Sequence, residues 1–341
     1  MMLRNAVHME IASFQAPAVS TFNQTARFLW ERPPEIAGPI KGILLLCHGC
    51  HHAATDFWIQ SQICPQCLGL PIETGIVASA LNRGWVVLAV SSLDRIRGCW
   101  TQADLFGLAK AISVVRQKLP ECRNAVDACP VAAIGASSGG RIVSVLDESR
   151  LVGILGVVVQ IMTSGKRLGT DESPHQRNNL PMRFVHMSRD TRRAQAIRRQ
   201  VHELTRRGVD VKEFPVYPRP LSALNFSEPR GIQVAGQAKD ILRGRPAVPS
   251  KLIAEKLIKS LRYHNHIDSS GYLLKDPAIS DWRGIARAII PESVDTFKKD
   301  QSPISEVLRE AWAFHEFTDE HLKECLLWFE SLLMTRRRSG A

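Results

Sequence analysis

The chain has 341 residues, 45% of them hydrophobic and 23% charged, the proportions of a globular protein long enough to bury a sizeable core. No apolar run reaches the roughly 18–20 residues of a membrane span. The first 18 residues include Glu10 and no compact apolar stretch, so they do not read as a secretory signal. A soluble, cytoplasmic protein is expected, with an organellar leader left open. The net charge of +11 gathers at Arg192, Arg193, Arg198, Arg199, Arg206 and Arg207 and at Arg336–Arg338. No aromatics interleave with these arginines, so they read as a solvated face and no nucleic-acid partner is expected.

In chain order, Met9–Phe14 and Thr25–Trp30 are β-like runs split by Pro17 and a Ser/Thr/Asn-rich turn. Pro33-Pro34 and Gly38-Pro39 then break the chain. Gly42–Cys47 is a continuous apolar run, as in a strand covered on both faces, and it ends in His48-Gly49-Cys50-His51-His52. Ile76–Leu81 reads as the end of a helix closed by Arg83-Gly84, and Trp85–Val90 as a second buried strand. The helical spacing of Leu105, Leu108, Ala109, Ile112, Val115 and Leu119 predicts a helix over Thr101–Leu119.

Val131-Ala-Ala-Ile134 is β-compatible and leads into Gly135-Ala-Ser137-Ser-Gly139, a G-x-S-x-G pattern, followed by a helical run over Arg141–Leu146. Leu151–Met162, the longest apolar run, is interrupted by glycine and contains the next strand, Val152–Ile161. Pro181–Met187 is another strand, Thr191–Arg207 a helix stopped by Gly208, and Asp210–Val216 a final strand. This alternation predicts an α/β fold, a mostly parallel sheet with helices on both faces. Beyond Pro218 prolines replace the beat. Lys251–Leu261 reads as an amphipathic piece, and Gly271–Leu274 and Ile279–Trp282 as small extended segments. Thr318–Leu333 closes the chain as a helix with one apolar stripe.

A strand that turns at once into a helix holds its turn residue in a strained conformation with the side chain out of the sheet, and flanking glycines remove clashing Cβ atoms. Ser137 is therefore the candidate nucleophile. A serine hydroxyl needs a base within hydrogen-bond reach and a group that orients the base. Asp190 ends the strand Pro181–Met187 and its turn; it is the candidate acid and, alternatively, a helix N-cap. Asp210 and Glu228 are weaker candidates. His315, in Ala311-Trp-Ala-Phe-His-Glu-Phe, is the candidate base, or else a histidine held among Trp312, Phe314 and Phe317. His264 and His266 compete for its role, and His321 reads as a surface residue of the last helix. Backbone N–H groups of Ser138 and of Cys50, with His51 as a substitute for the latter, are the candidate oxyanion donors. The His48, Cys50, His51, His52 cluster matches no common zinc spacing, and neither metal nor cofactor is expected.

A strand ending in His48-Gly49, an elbow at Gly135–Gly139, a strand-end Asp190 and a late His315 together resemble the α/β-hydrolases, whose chain order is Ser, Asp, His. Residues His48-Gly-Cys-His-His52, Asp56-Phe-Trp58 and Cys64-Pro-Gln-Cys67 are similar to those of plant and algal α/β-hydrolase-like proteins. The resemblance spans roughly residues 25–217 and 310–335. It implies an esterase-type hydrolase acting on a small-molecule ester or acyl substrate, with no particular substrate indicated. The core is then residues 1–217 and 310–341, and residues 218–309 are a cap or insertion; the long gap before His315 departs from the family pattern. A non-catalytic ligand-binding protein on the same scaffold is the alternative. Cys50, Cys64, Cys67 and Cys99 are readable as thiols, as two disulfides tying the loop after the first long strand to Cys99, or as a zinc site.

Overall fold

A computed structural model describes residues 8–14, 24–123, 129–149, 153–165, 180–227, 251–290 and 302–339. Its strands are β1 (His8–Phe14), β2 (Gln24–Glu31), β3 (Gly42–Cys47), β4 (Trp85–Val90), β5 (Val131–Ala136), β6 (Ile154–Gln160), β7 (Met182–Met187) and β8 (Val211–Val216). They form one sheet in the order β1-β2-β4-β3-β5-β6-β7-β8. β1 and β2 pair antiparallel, as do β2 and β4, and every other neighbouring pair is parallel.

Every residue of β3, β4 and β5 is buried, because parallel strands with crossover connections are covered on both faces. Successive side chains point to opposite sides, so each strand feeds two cores. Leu44, Leu46, Val87, Ala89, Ala132 and Ile134 pack with Ile76 of α1 (Pro71–Asn82) and Phe329 of α9 (Leu322–Ser339). Ile43, Leu45, Val86, Leu88 and Ala133 pack with Leu108, Ile112 and Val115 of α2 (Asp104–Lys118) and Ile197 of α4 (Thr191–Arg206). Between β5 and β6 lies α3 (Ser138–Val143), which starts at the elbow, earlier than the expected Arg141.

The remaining helices are α5 (Leu224–Ser227), α6 (Lys251–Tyr263), α7 (Trp282–Ile289) and α8 (Pro303–Trp312). They enclose a third apolar cluster in which Phe226, Leu257, Leu261, Trp282, Val307 and Leu308 meet. The extended segment expected at Ile279–Trp282 is instead the entry to α7. Asp281 caps it by accepting from Gly284 N–H at 3.2 Å, and the chain winds up there because an Asp N-cap offers the first turn a partner. Gly271–Leu274 contributes one bridge, Leu273 to Ile267, inside a turn closed by Tyr272 N–H on Asp268. The last helix begins at Leu322 and not Thr318. The Thr318 hydroxyl accepts Glu320 N–H at 3.0 Å, and this local bond competes with helix there.

Candidate active site

The strand–turn–helix at β5 and α3 sets Ser137 at φ 52° and ψ −116°, left-handed territory that costs a non-glycine residue about 1–3 kcal/mol. Its neighbours must be glycine. A Cβ on Gly135 would fall 2.2 Å from Gly139 O, and one on Gly139 would fall 2.2 Å from Cys47 O. The bend is fixed from β6: Ser137 N–H donates to Gln160 O at 3.0 Å. The buried Gln160 amide in turn exchanges two hydrogen bonds with the backbone of Thr318, 2.9 and 3.1 Å.

His315 arrives from the other end of the chain. Its Nε2 lies 3.3 Å from Ser137 Oγ, and its Nδ1 lies 3.0 Å from Asp190 Oδ2. A carboxylate only accepts, so the proton sits on Nδ1 and Nε2 turns its lone pair toward the serine; this tautomer follows from the partners. Two residues of the His315 turn are left-handed, Ala313 at φ 57° and His315 at φ 43°. The turn is tied to the acid's loop by Arg189 N–H on Ala313 O at 3.1 Å and by the Arg189 guanidinium 3.4 Å over the Trp312 ring. Asp190 also caps α4, its Oδ1 accepting from Arg193 N–H at 3.1 Å. One oxygen of the Asp190 carboxylate thus meets the His315 ring and the other caps α4.

A mostly parallel sheet in the order above, with a serine at a glycine-flanked elbow and its partners in the order Ser, Asp, His, decides the architecture. The chain has the α/β-hydrolase fold. No family model and no curated protein matches it. It is similar to solved structures of a fungal esterase from Rhizomucor miehei (16% identity, TM-score 0.38, covering 62% of this chain and 75% of that one) and of a thermostable esterase (14%, 0.36, 65% and 58%). It is likewise similar to an α/β hydrolase enzyme from a Medee basin deep-sea metagenome library (12%, 0.39, 69% and 93%). The match spans little more than half of the thermostable esterase, and at these identities none of the three bears on substrate.

Within this α/β-hydrolase scaffold the loop after β3 runs against the elbow. A Cβ on Gly49 would lie 3.8 Å from Ser137 Cβ. His48 is a strut of that loop. Its Nδ1–H donates to Gly49 O at 2.7 Å, its Nε2 accepts Ser92 N–H at 3.1 Å, and Trp100 Nε1–H donates to His48 O at 2.8 Å. Burial pushes its pKa down to about 4, so it stays neutral. His51 N–H is spent on Arg97 O at 2.6 Å. His52 bonds through Nδ1 to buried Asp56 at 2.8 Å; burial works against the imidazolium, but the Asp56 hydrogen bond and charge prevail and raise the pKa. Among the described residues no three His, Cys, Asp or Glu side chains gather where they could hold a metal ion.

Asp210 is held by Arg183 at 2.8 and 3.2 Å and by Trp328 Nε1–H. Glu228 lies outside the described residues. His264 is exposed against Tyr263 and His266 is buried beside the third cluster, and neither bonds to Ser137. His321 is not on the surface of a helix: it precedes α9 at φ 70°, stacks 5.0 Å from Phe214 and meets Pro215 O. Of the early cysteines Cys50 pairs with Cys99 and Cys64 with Cys67, while Cys47 is a buried thiol; Cys122 pairs with Cys129. Three things escaped the sequence reading. Gln160 is visible only as the lone polar residue ending an all-apolar strand. The Arg189–Trp312 contact has no local signal. Nor do the buried carboxyls of Glu73 on α1 and Glu306 on α8 announce themselves, beyond being acids among core-facing positions.

Proposed function

We propose that this chain is a serine hydrolase of esters or related acyl bonds. Ser137 Oγ attacks the acyl carbon while His315 Nε2 takes its proton, and Asp190 holds the ring and stabilises the imidazolium. The tetrahedral oxyanion is received by the N–H groups of Cys50 and Ser138, the latter at the exposed positive end of α3. Collapse expels the alcohol, protonated by His315, and water activated by the same imidazole then hydrolyses the acyl-enzyme. The stretch 218–309 is assigned as a cap that shapes the acyl or alcohol pocket.

The relay Asp190–His315–Ser137, at 3.0 and 3.3 Å, carries the reading. Both contacts join residues more than a hundred positions apart at the end of a strained elbow, and packing alone gives no reason for that convergence. The test is a fluorophosphonate probe together with a panel of chromogenic esters of increasing acyl length. Labelling and turnover are expected in the wild type and absent in Ser137→Ala. Equal labelling of the two proteins, or a wild type inert across the panel, overturns it.

A further inference from the structure

The loop that carries Cys50 is fastened to the loop after β4. Cys50 and Cys99 form a disulfide, His51 N–H donates to Arg97 O, and Gly98 at φ 64° packs so closely that a Cβ there would sit 2.9 Å from His52 O. The Cys50 sulfur also lies 3.3 Å from Ser138 Oγ. A disulfide sulfur has no proton to give, so the hydroxyl is the donor. One covalent bond therefore sits against both residues whose N–H groups are assigned to the oxyanion. Its accessibility differs from that of the other pairs. Cys50 and Cys99 are half-exposed, whereas Cys64, Cys67, Cys122 and Cys129 are buried.

We infer that Cys99 is a positioning residue: through its bond to Cys50 it holds the Cys50 N–H on the forming oxyanion, and a dithiol that opens this bond lowers turnover while leaving the nucleophile in place. The inference rests on the serine-hydrolase reading. In the exchange, a thiolate of the dithiol attacks one sulfur of the pair and the S–S bond breaks to a mixed disulfide and a thiolate. The second thiol then displaces the protein sulfur. Two electrons and two protons end on Cys50 and Cys99 as thiols, and the dithiol leaves as its cyclic disulfide. The relay does not pass through this bond. Ser137 is anchored by Gln160, and His315 and Asp190 by the Arg189 contacts.

The experiment uses the full chain, a p-nitrophenyl ester and dithiothreitol, with alkylation and mass spectrometry to count thiols residue by residue. Removing an oxyanion donor outright costs about 100–1,000-fold in kcat, so loosening one is expected to cost at least about tenfold. Dithiothreitol and Cys99→Ser should each produce that fall with KM changed less than about threefold, and the two should not add. Cys99→Ser should still label with fluorophosphonate at Ser137. The double variant Cys64→Ser/Cys67→Ser should keep both kcat and the dithiothreitol response, since its cysteines lie elsewhere. A Cys99→Ser protein within about twofold of wild-type kcat overturns the inference, as does a dithiothreitol response that vanishes in the Cys64/Cys67 variant. So does an untreated chain in which Cys50 and Cys99 alkylate freely. Should Cys99→Ser fail to fold, wild type in dithiothreitol decides, assayed below its own unfolding transition: kcat must fall while fluorophosphonate still labels Ser137, and an unchanged kcat once Cys50 and Cys99 count as thiols overturns the inference. Failure of the wild type to label at Ser137 is a separate outcome that removes the hydrolase reading itself.

Discussion

Asp190 shows how one side chain can be asked two questions by two substitutions. Asparagine keeps an oxygen for the α4 cap but cannot hold the imidazole in its tautomer, and in serine hydrolases that change costs about 10⁴ in kcat. Asp190→Asn is therefore expected to lose nearly all turnover at an almost unchanged melting temperature. Asp190→Ala should lose the turnover and in addition about 1 kcal/mol of stability, because Arg193 N–H is orphaned. Steady-state kinetics beside thermal unfolding separates the two. The contact of Ser137, His315 and Asp190 was legible in the sequence because each residue has a local signature: glycines around a serine, an acid closing an apolar strand, a histidine between a core segment and a final amphipathic helix. Gln160 was not, since a polar residue at a strand end looks the same whether it clamps an elbow or faces water.

At the scale of elements, α1 and α8 are joined across a buried pair of acids. Ile72 N–H donates to Glu306 at 3.2 Å, and Glu73 Oε2 has no hydrogen-bond partner among the described residues. Burial pushes Glu73 up to about 8, and burial together with the neighbouring Glu73 charge holds Glu306 well above the carboxylate range. The sign follows from proton counts. At pH values between the unfolded carboxylate range and about 8, the folded chain binds more protons than the unfolded one, so stability falls as pH rises through that window. Chemical denaturation at pH 5, 6.5 and 8 should show the decline, and Glu73→Gln should flatten it. A steeper slope in the variant would contradict this account. α8 leads directly into the His315 turn, so the same pair should make activity at alkaline pH more fragile than the sheet beneath it. Helix α8 had the periodicity of a helix in Ile304, Val307, Leu308 and Ala311, but its core-facing Glu306 and Glu310 broke the apolar pattern and hid it. Strands β3, β4 and β5 were legible for the opposite reason, as unbroken apolar runs.

Across the whole molecule, the two sheet faces carry the scaffold while the third cluster holds α5 to α8 together. Trp282 is fully buried in it, and truncating a buried tryptophan costs about 3–5 kcal/mol. Trp282→Ala is expected to abolish turnover at temperatures where the sheet remains folded, seen as loss of activity preceding the main far-ultraviolet transition. Coincident transitions would show that the cluster and the sheet melt as one. The alternation of strand and helix made the layered architecture readable from composition and spacing alone. The path from β8 to His315 was not readable, because it depends on contacts between segments far apart in the chain, such as Arg189 with Trp312.

The clasp between Gln160 and Thr318 has a consequence for the order of assembly. The serine's bend is steadied by a residue whose own amide is satisfied by the Thr318 backbone, just ahead of α9. A nascent polypeptide can complete every strand of the sheet and still lack both the His315 ring and the Thr318 end of the clasp, because both lie beyond β8 in the chain. A protein shortened to end before residue 315 should uncover the sheet face that Leu326 and Phe329 pack against, losing stability together with the proposed ester turnover, as thermal unfolding beside the chromogenic panel would read.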